Sequence, residues 1–503
     1  MRMIEKTLLV SFASMTLAFA SFSGDVTLES RIEAMETGLR PSVHIVGTEK
    51  QRWSIEDRMA HYNVPGMSIV IIKDGKIIFA KGYGVKEAGT TENVDTNTVF
   101  SVGSLSKIGT AATTLRLTAA GEIDLNKDVN SYLKRWQVPS NEFTKQHAVT
   151  LRGILSHTSG LSLWGFPDFN PGEDLPTVLN TLDATGPART EAVRAFYVPG
   201  SSWRYSGGGT TVQQLLLEDV TGLPFTEATQ KYTLVPLGMS RSTYQNPLPA
   251  SHGNIAKAHD RNGNLTALPR GWHAFPEMAA SGLWSTPSDY AQMVIAFMES
   301  YKGAENSFLP QALAEDMMTP VGYGANGLGP QMSGVGINRR FSHGGANQSY
   351  RAWMEGHLER GTGMVLFTNG TRGGALNNEV KRAVADAFDW PYYQEVDAPD
   401  YVISEKGLKE FSGDYEWASH GPSAAQRVLV SADRDTTFTI KLEGGKLLRG
   451  RRVLIPVGPS QFICEGCDRS ESTSYEFTRD IDGKVVGFTI RAAGDAESAR
   501  KIP

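Results

Sequence analysis

Ser104 and Lys107 stand three residues apart in the run VFSVGSLSKIGTA, Val99 to Ala111. A serine hydroxyl is almost never ionised at neutral pH. As a nucleophile it needs a base within reach, and donors for the oxyanion that forms when it attacks a carbonyl. At i and i+3 of a helix two side chains leave on one face, which sets an amine beside a hydroxyl. Burial and cationic neighbours lower a lysine pKa toward neutrality and make it a competent base. An isolated S-x-x-K is nonetheless common on solvated helices, so the reading depends on partners elsewhere. WRYSGGG offers Tyr205 in a loop after Pro199-Gly200, and RFSHGGANQ offers His343-Gly344-Gly345 ending a strand. His157, in LSHTSGL, reads as a structural loop histidine. The chain contains no G-x-S-x-G and no H-E-x-x-H, which argues against the α/β-hydrolase elbow and against a zinc protease.

These positions need a framework that brings them together. Ser54 to Tyr62 carries apolar residues at helical spacing. GMSIVIIKDGKIIFAKGYG is two apolar, β-branched runs joined by Asp74-Gly75, the strongest short hairpin signal. Ser101 to Ala120 reads as a helix rich in Ala, Thr and Leu, stopped by Gly121. Between residues 122 and 300 helical patterns alternate with Gly/Pro-rich loops. STPSDYAQMVIAFM starts a helix with Thr286 as N-cap, Pro287 at N1 and Asp289 at N3. From Arg339 strands return as RRFSHGG, SYRAWMEGHL and GMVLFTNG. The pattern predicts an α/β domain whose sheet is built from both of its ends, with a mainly helical region between them. Beyond DAPDYVISEKG, TFTIKLE alternates strictly, Gly444-Gly445 and Asp482-Gly483 are hairpin turns, and YEFTRDIDGKVVGFTI is a further hairpin. A small all-β appendage is expected from residue 405 to 503.

A chain of 503 residues exceeds what one core usually organises, and 40% hydrophobic with 20% charged residues fits a soluble globular protein. The formal charge of −5, the pI near 6.1 and the lack of a Lys/Arg-rich run argue against nucleic acid as a partner. Arg2 and Lys6 give a basic start, Thr7 to Ala20 is apolar or small, and Ala18-Phe19-Ala20 is an A-x-A cleavage signal. Residues 1–20 therefore read as a signal peptide. The apolar run is shorter than the ~20 residues a bilayer requires, so the expected location is secreted or periplasmic, with no transmembrane segment after signal removal. In such a chain Cys464 and Cys467, as C-x-x-C, read as a short disulfide, with free thiols as the other reading. No βαβ pattern surrounds them and no further ligands for zinc lie nearby. No cofactor or metal motif is found, so the expected partner is a small molecule or short peptide.

S-L-S-K (Ser104 to Lys107), Y-S-G (Tyr205 to Gly207) and H-G-G (His343 to Gly345) together resemble the three ordered motifs of the serine β-lactamases and penicillin-binding proteins, in the class C-like branch that includes D-aminopeptidases and esterases. ILSHTSGL, PGSSWRYSGGG, VPLGMSRSTY and AASGLWSTPSD are similar to segments of that branch, and the resemblance covers residues 50–385. The tail, with LKEFSGDYEW and GKVVGFTIRAAG, resembles the lipocalin-like C-terminal domains some of these hydrolases carry. The resemblance implies a β-lactamase/transpeptidase-like hydrolase domain over 21–395, an antiparallel sheet flanked by helices plus a helical region. It casts Ser104 as the acylated nucleophile, Lys107 as its proton acceptor and Tyr205 as the group sharing protons with Lys107 and the leaving group. His343 and Gly345 would contact substrate, and the N–H groups of Ser104 and Ala346 would form the oxyanion hole.

Two departures shape the expected activity. Gly207 stands where the tyrosine motif usually ends in Asn, whose amide holds an acylamino side chain; Asn347 or Gln348 is a candidate substitute. Gly207 heads a Gly-Gly-Gly run in which a positive φ would make Asn costly. H-G-G in place of K-T-G removes a fixed positive charge unless His343 is protonated. Both favour an exported peptidase or esterase acting on a D-amino-acid amide or small ester. A class C-like β-lactamase and a penicillin-binding or sensor protein with little turnover are the alternatives.

Overall fold

The computed structural model describes residues 27–417, 437–450, 452–465, 473–492 and 495–502. The signal peptide and Cys467 lie outside the described residues. In chain order the elements used below are helix α1 (Leu28–Thr37), strand β1 (Val43–Ile45), α2 (Ile55–Tyr62), β2 (Gly66–Lys73), β3 (Lys76–Gly84), α3 (Ser106–Ala119), α4 (Gly207–Thr221), α5 (Met278–Ser281) and α6 (Pro287–Tyr301). They continue with β4 (Gln331–Ser333), β5 (Arg340–Ala346), β6 (Arg351–His357), β7 (Thr362–Thr368), α7 (Gly373–Ala387) and β8 (Val396–Ala398).

Six strands form one antiparallel sheet in the order β3-β2-β7-β6-β5-β4, so the amino-terminal hairpin inserts beside the last long strand of the domain. The hairpin turn follows from its residues: Asp74 and Gly75 both take positive φ, 51° and 68°, as a two-residue turn between twisted strands prefers. Strand β2 is buried on both faces. Val70 and Ile72 join the large core beneath the helical region, while Met67, Ile69 and Ile71 face a second core packed by α1, α2 and α7. Double burial explains why its sequence is an unbroken apolar run rather than an alternation. The start of α6 is as expected, with Thr286 Oγ1 accepting from Asp289 N at 3.0 Å.

Helix α3 is the central post of the domain, with eleven of its fourteen residues buried. A helix buried on almost every side must satisfy its own polar groups. Thr110, Thr113 and Thr114 do so by donating to carbonyls four residues back at 3.0–3.1 Å. The sequence places its start at Ser101, but Phe100–Ser101 is strand, pairing with Trp284–Ser285, and Gly103–Leu105 is a 3-10 turn.

The carboxy-terminal strands, from Gly413–Trp417 to Asp495–Lys501, close into an eight-stranded barrel of sequential antiparallel neighbours. Aromatic side chains fill it, among them Tyr415, Phe462, Tyr475, Phe477 and Phe488. Cys464 is disulfide-bonded. Two contacts lie close to the expected domain limit at 395 or join the barrel to the amino-terminal strand. Strand β8 pairs in parallel with β1, Val43 opposite Val396, and both carboxylate oxygens of Glu465 accept from Ser42 N and Val43 N, at 3.0 and 3.1 Å. Strand β8 is thereby joined to β1 up to Ala398. Among the described residues no helix is long and apolar enough to cross a membrane.

Candidate active site

Four segments distant in sequence meet at Ser104. The short ladder between Phe100–Ser101 and Trp284–Ser285, extended by Val102 N donating to Leu283 O at 3.1 Å, fixes the approach to the turn. Gly103 then takes φ 51°, and a Cβ there would come within 2.7 Å of Ala346 N. Only glycine meets both demands. Ser104, second residue of the 3-10 turn, has no carbonyl within that turn to receive its N–H.

One turn on, Lys107 Nζ donates to Ser104 Oγ at 3.2 Å and to Ala280 O, in α5, at 2.9 Å. It also lies 4.9 Å from the centre of the Tyr205 ring. Burial lowers its pKa to about 7, so near neutral pH a large share of the amine is uncharged and able to accept a proton.

Tyr205 precedes Ser206, the N-cap of α4, whose Oγ accepts from Gly209 N at 2.8 Å and donates to Ser162 O at 2.9 Å. Burial raises the phenol above its ordinary pKa, opposed in part by a hydrogen bond with Ser104. His157 lies against it: the two ring centres are 4.2 Å apart, and His157 Nδ1 accepts from Ser206 N at 3.2 Å. His157 holds φ 61°, and burial, then the charges of Lys107 and His343, keep its pKa well below the usual value. It is therefore a neutral brace for Tyr205 and Ser206, which accords with a structural role but places it inside the site.

Strand β5 supplies the fourth wall. The bonds Asn347 N to Tyr350 O and Leu358 N to Arg339 O set the phase of the β5–β6 ladder, so Gly345 opposite Ala352 is a hydrogen-bonded pair. The N–H of Ala346 accordingly points away from β6, toward the Gly103 turn. Gly345 permits that approach, because a Cβ on it would fall 1.9 Å from Val102 O. Ser104 N and Ala346 N thus both lie outside the hydrogen bonds of the 3-10 turn and of the β5–β6 ladder. His343 is buried, its ring 6.2 Å from Tyr205, and Nδ1–H donates to Gly344 O at 2.7 Å. Burial, then the charge of Lys107, lowers its pKa to about 4.

The structure therefore gathers Ser104, Lys107, Tyr205, His343, Gly345 and Ala346 into one cluster. The amide of Asn347 is already engaged by neighbouring residues. Asn347 donates to Ser101 Oγ and accepts from Ser349 N and Tyr350 N, holding the β5–β6 turn, while Gln348 is exposed and gives its N–H to Asp168 Oδ2. Sequence reasoning passed over Trp164, whose ring stands 5.8 Å from Tyr205, and the Ala280 carbonyl that anchors Lys107. Trp164 carries no motif or period that would have marked it, and Ala280, although inside the family-like segment AASGLWSTPSD, acts through a backbone carbonyl that side-chain chemistry does not reveal.

A serine paired with a desolvated lysine, backed by a tyrosine and faced by a strand-edge N–H, on a six-stranded sheet with a helical region, is an arrangement of the β-lactamase/transpeptidase type. The sequence model of the Beta-lactamase family matches residues 54–388, and the chain belongs to that family. Esterase EstB of Burkholderia gladioli is 26% identical over 287 residues, 53% of this chain and 72% of the esterase. Protein flp of Staphylococcus aureus (strain MRSA252) is 26% identical over 239 residues, 47% of this chain and 44% of that protein, so the match spans less than half of its length. Among solved structures, the octameric penicillin-binding protein homologue from Pyrococcus abyssi superposes with a TM-score of 0.54 at 20% identity, over 89% of this chain and 98% of that one. EstCE1, a hydrolase with promiscuous acyltransferase activity, gives 0.53 at 20% identity, over 66% and 96%. At these identities the structural likeness speaks for the fold.

Proposed function

We propose that the chain is an exported serine hydrolase that forms an acyl-enzyme on Ser104 and releases it to water, acting on a small ester or a D-amino-acid amide. The observation that carries this reading is the 3.2 Å contact between Lys107 Nζ and Ser104 Oγ, with a lysine that burial brings to about 7. Neutral Lys107 takes the Ser104 proton as Oγ bonds to the substrate carbonyl carbon. The oxyanion is received by the N–H groups of Ser104 and Ala346. As the carbonyl re-forms, the bond to the leaving oxygen or nitrogen breaks, and that atom takes the proton relayed from Lys107 through Tyr205. Water then adds to the ester on Ser104, giving its proton to the same pair, and the acid departs as Ser104 regains its hydrogen. Because burial holds Tyr205 protonated, the base role falls to Lys107 and the relay to Tyr205.

Esters and amides are preferred over penicillins because Gly207 offers no amide to an acylamino group and His343 is neutral above about pH 4. The esterase among the curated relatives supports that preference. The likeness to a penicillin-binding protein homologue keeps slow β-lactam acylation as the second reading. Export rests on residues 1–20 and on the disulfide at Cys464. Intact mass spectrometry after exposure to β-lactams, p-nitrophenyl esters and D-amino-acid amides tests the reading. A transient acyl adduct on esters or amides that is absent from Ser104→Ala is expected. A persistent adduct formed only by β-lactams would replace it with the sensor reading, and rapid turnover of β-lactams with the β-lactamase one.

A further inference from the structure

The loop Ser162–Phe166 is a wall of the site that the mechanism above leaves without a task. Leu163 takes φ 66°, a left-handed value rare for a bulky side chain. The loop is pinned there from both sides. Leu163 O accepts from Gly207 N and Gly208 N at 2.8 and 3.2 Å, Ser162 O accepts from Ser206 Oγ, and Ser162 N donates to Arg194 O at 2.8 Å. A Cβ on Gly207 would lie 2.9 Å from Phe166 Cε2 and 3.1 Å from Trp164 O. The space into which a side chain at 207 would project is therefore occupied by this loop. Beyond it Trp164 is 54% exposed, although its ring stands 5.8 Å from the partly buried Tyr205 and inclined to it by 47°. An indole left half in water beside Tyr205 offers apolar surface to a partner, and aromatic rings pair well in offset or edge geometry.

We propose that Trp164 and Phe166 form an apolar subsite beside Ser104 that selects substrates carrying an aromatic group next to the scissile bond. This deepens the reading of Ser104 as the acylated nucleophile and rests on it. The polar alternative, recognition of an amide at this wall, is disfavoured because the Leu163 carbonyl is committed to α4. The aromatic group could sit on the acyl or the alcohol side, and matched esters separate the two: p-nitrophenyl acetate against p-nitrophenyl phenylacetate, and ethyl against benzyl acetate. Burying one phenyl ring should raise kcat/KM of the parent by about tenfold or more in one of the pairs, chiefly through KM. Trp164→Ala should bring that ratio near one, and Trp164→Phe should restore most of it. Equal rates within both pairs, or a preference that survives Trp164→Ala, overturns the subsite.

A binding measurement separates this from failure of the hydrolase reading. Ser104→Ala titrated calorimetrically with phenylacetamide should show saturable binding that acetamide lacks and that the added Trp164→Ala abolishes. That result supports the subsite even in a protein that turns over neither ester. Indistinguishable titrations overturn it.

Discussion

Replacing Lys107 with methionine tests the electrostatics on which the site depends. In the folded protein the lysine titrates at about 7 because it is buried, against 10.5 for an exposed lysine. Between those values the unfolded chain carries a proton that the folded one has released, so the stability of the parent rises with pH across that window. At ~1.4 kcal/mol per pH unit, burial of Lys107 costs about 4 kcal/mol at pH 7, about 1 kcal/mol at pH 9.5 and nothing above pH 10.5. Methionine keeps the apolar stem and removes that cost. It also strands Ala280 O and deprives Ser104 Oγ of a partner, a loss of ~1–3 kcal/mol. The variant should therefore be the more stable protein by about 2 kcal/mol at pH 7 and should lose that advantage by pH 9.5. Urea unfolding followed by tryptophan fluorescence at pH 6.5, 8.0 and 9.5 measures both proteins. Groups common to the two cancel in the difference, which should change by about 3 kcal/mol between the extremes. A difference independent of pH would mean that Lys107 keeps its charge in the folded state, and the lysine could not then serve as base. Ester hydrolysis by the same variant should fall by on the order of 10³ or more.

Ser104→Ala should lose acylation and on the order of 10³–10⁶ in kcat with an unchanged melting curve; activity within about tenfold of the parent would remove Ser104 from the mechanism. The pH profile of kcat/KM should fall about tenfold per unit below about 7, as Lys107 takes up a proton. His343, at about 4, should add no second limb above pH 5, and a slope steeper than tenfold per unit between pH 5 and 7, or a break there that persists beside that of Lys107, would contradict its neutral assignment. A chain ending at residue 400 should melt cooperatively, whereas one ending at 394 loses the β1–β8 ladder and about 1–2 kcal/mol with it, as read by calorimetry. Gly207→Asn should cost ~1–3 kcal/mol through the collision of its Cβ with Phe166, and Phe166→Ala added to it should return much of that in urea titrations.

The features legible in the sequence are those whose causes are local. Asp74-Gly75 dictates its hairpin because both residues accept positive φ, and Thr286-Pro287 opens α6 because a side-chain acceptor and a fixed φ suit a helix start. The serine, tyrosine and histidine motifs were visible because each combines a reactive side chain with the small residues that clear space around it. The start of α3 was not legible. Phe100 and Ser101 are held as strand by Trp284 and Ser285, partners more than 180 residues away, and no pattern within the window carries that information. Gly207 illustrates the same limit from another direction. The Gly-Gly-Gly run suggests left-handed backbone, yet Gly207 to Gly209 begin α4 with ordinary helical geometry. Glycine is required there by crowding: a Cβ on Gly208 would meet Ser162 O at 2.3 Å, and one on Gly207 would meet Phe166. The crowding element is itself set by the unusual backbone of Leu163, which its sequence does not announce.

The charges around Ser104 then decide which substrates suit it. Above pH 7 Lys107 is largely neutral, His157 and His343 are neutral, and Tyr205 remains protonated, each for the same cause, burial. The groups flanking the nucleophile present no fixed cation before attack; on the proposed mechanism the oxyanion forms together with the positive charge that Lys107 gains with the Ser104 proton. Backbone donors in such a dry setting are worth more than in water, so on the proposed mechanism Ser104 N and Ala346 N would carry the stabilisation. The same neutrality weighs against a substrate carboxylate. His343 has already given its Nδ1–H to Gly344 O, so its Nε2 is a lone-pair acceptor that would repel an anion and welcome a donor. A substrate without a carboxylate, attacked at an uncharged ester or amide, meets no such penalty. The electrostatics at His343 and the filled space above Gly207 therefore lead independently to the same preference.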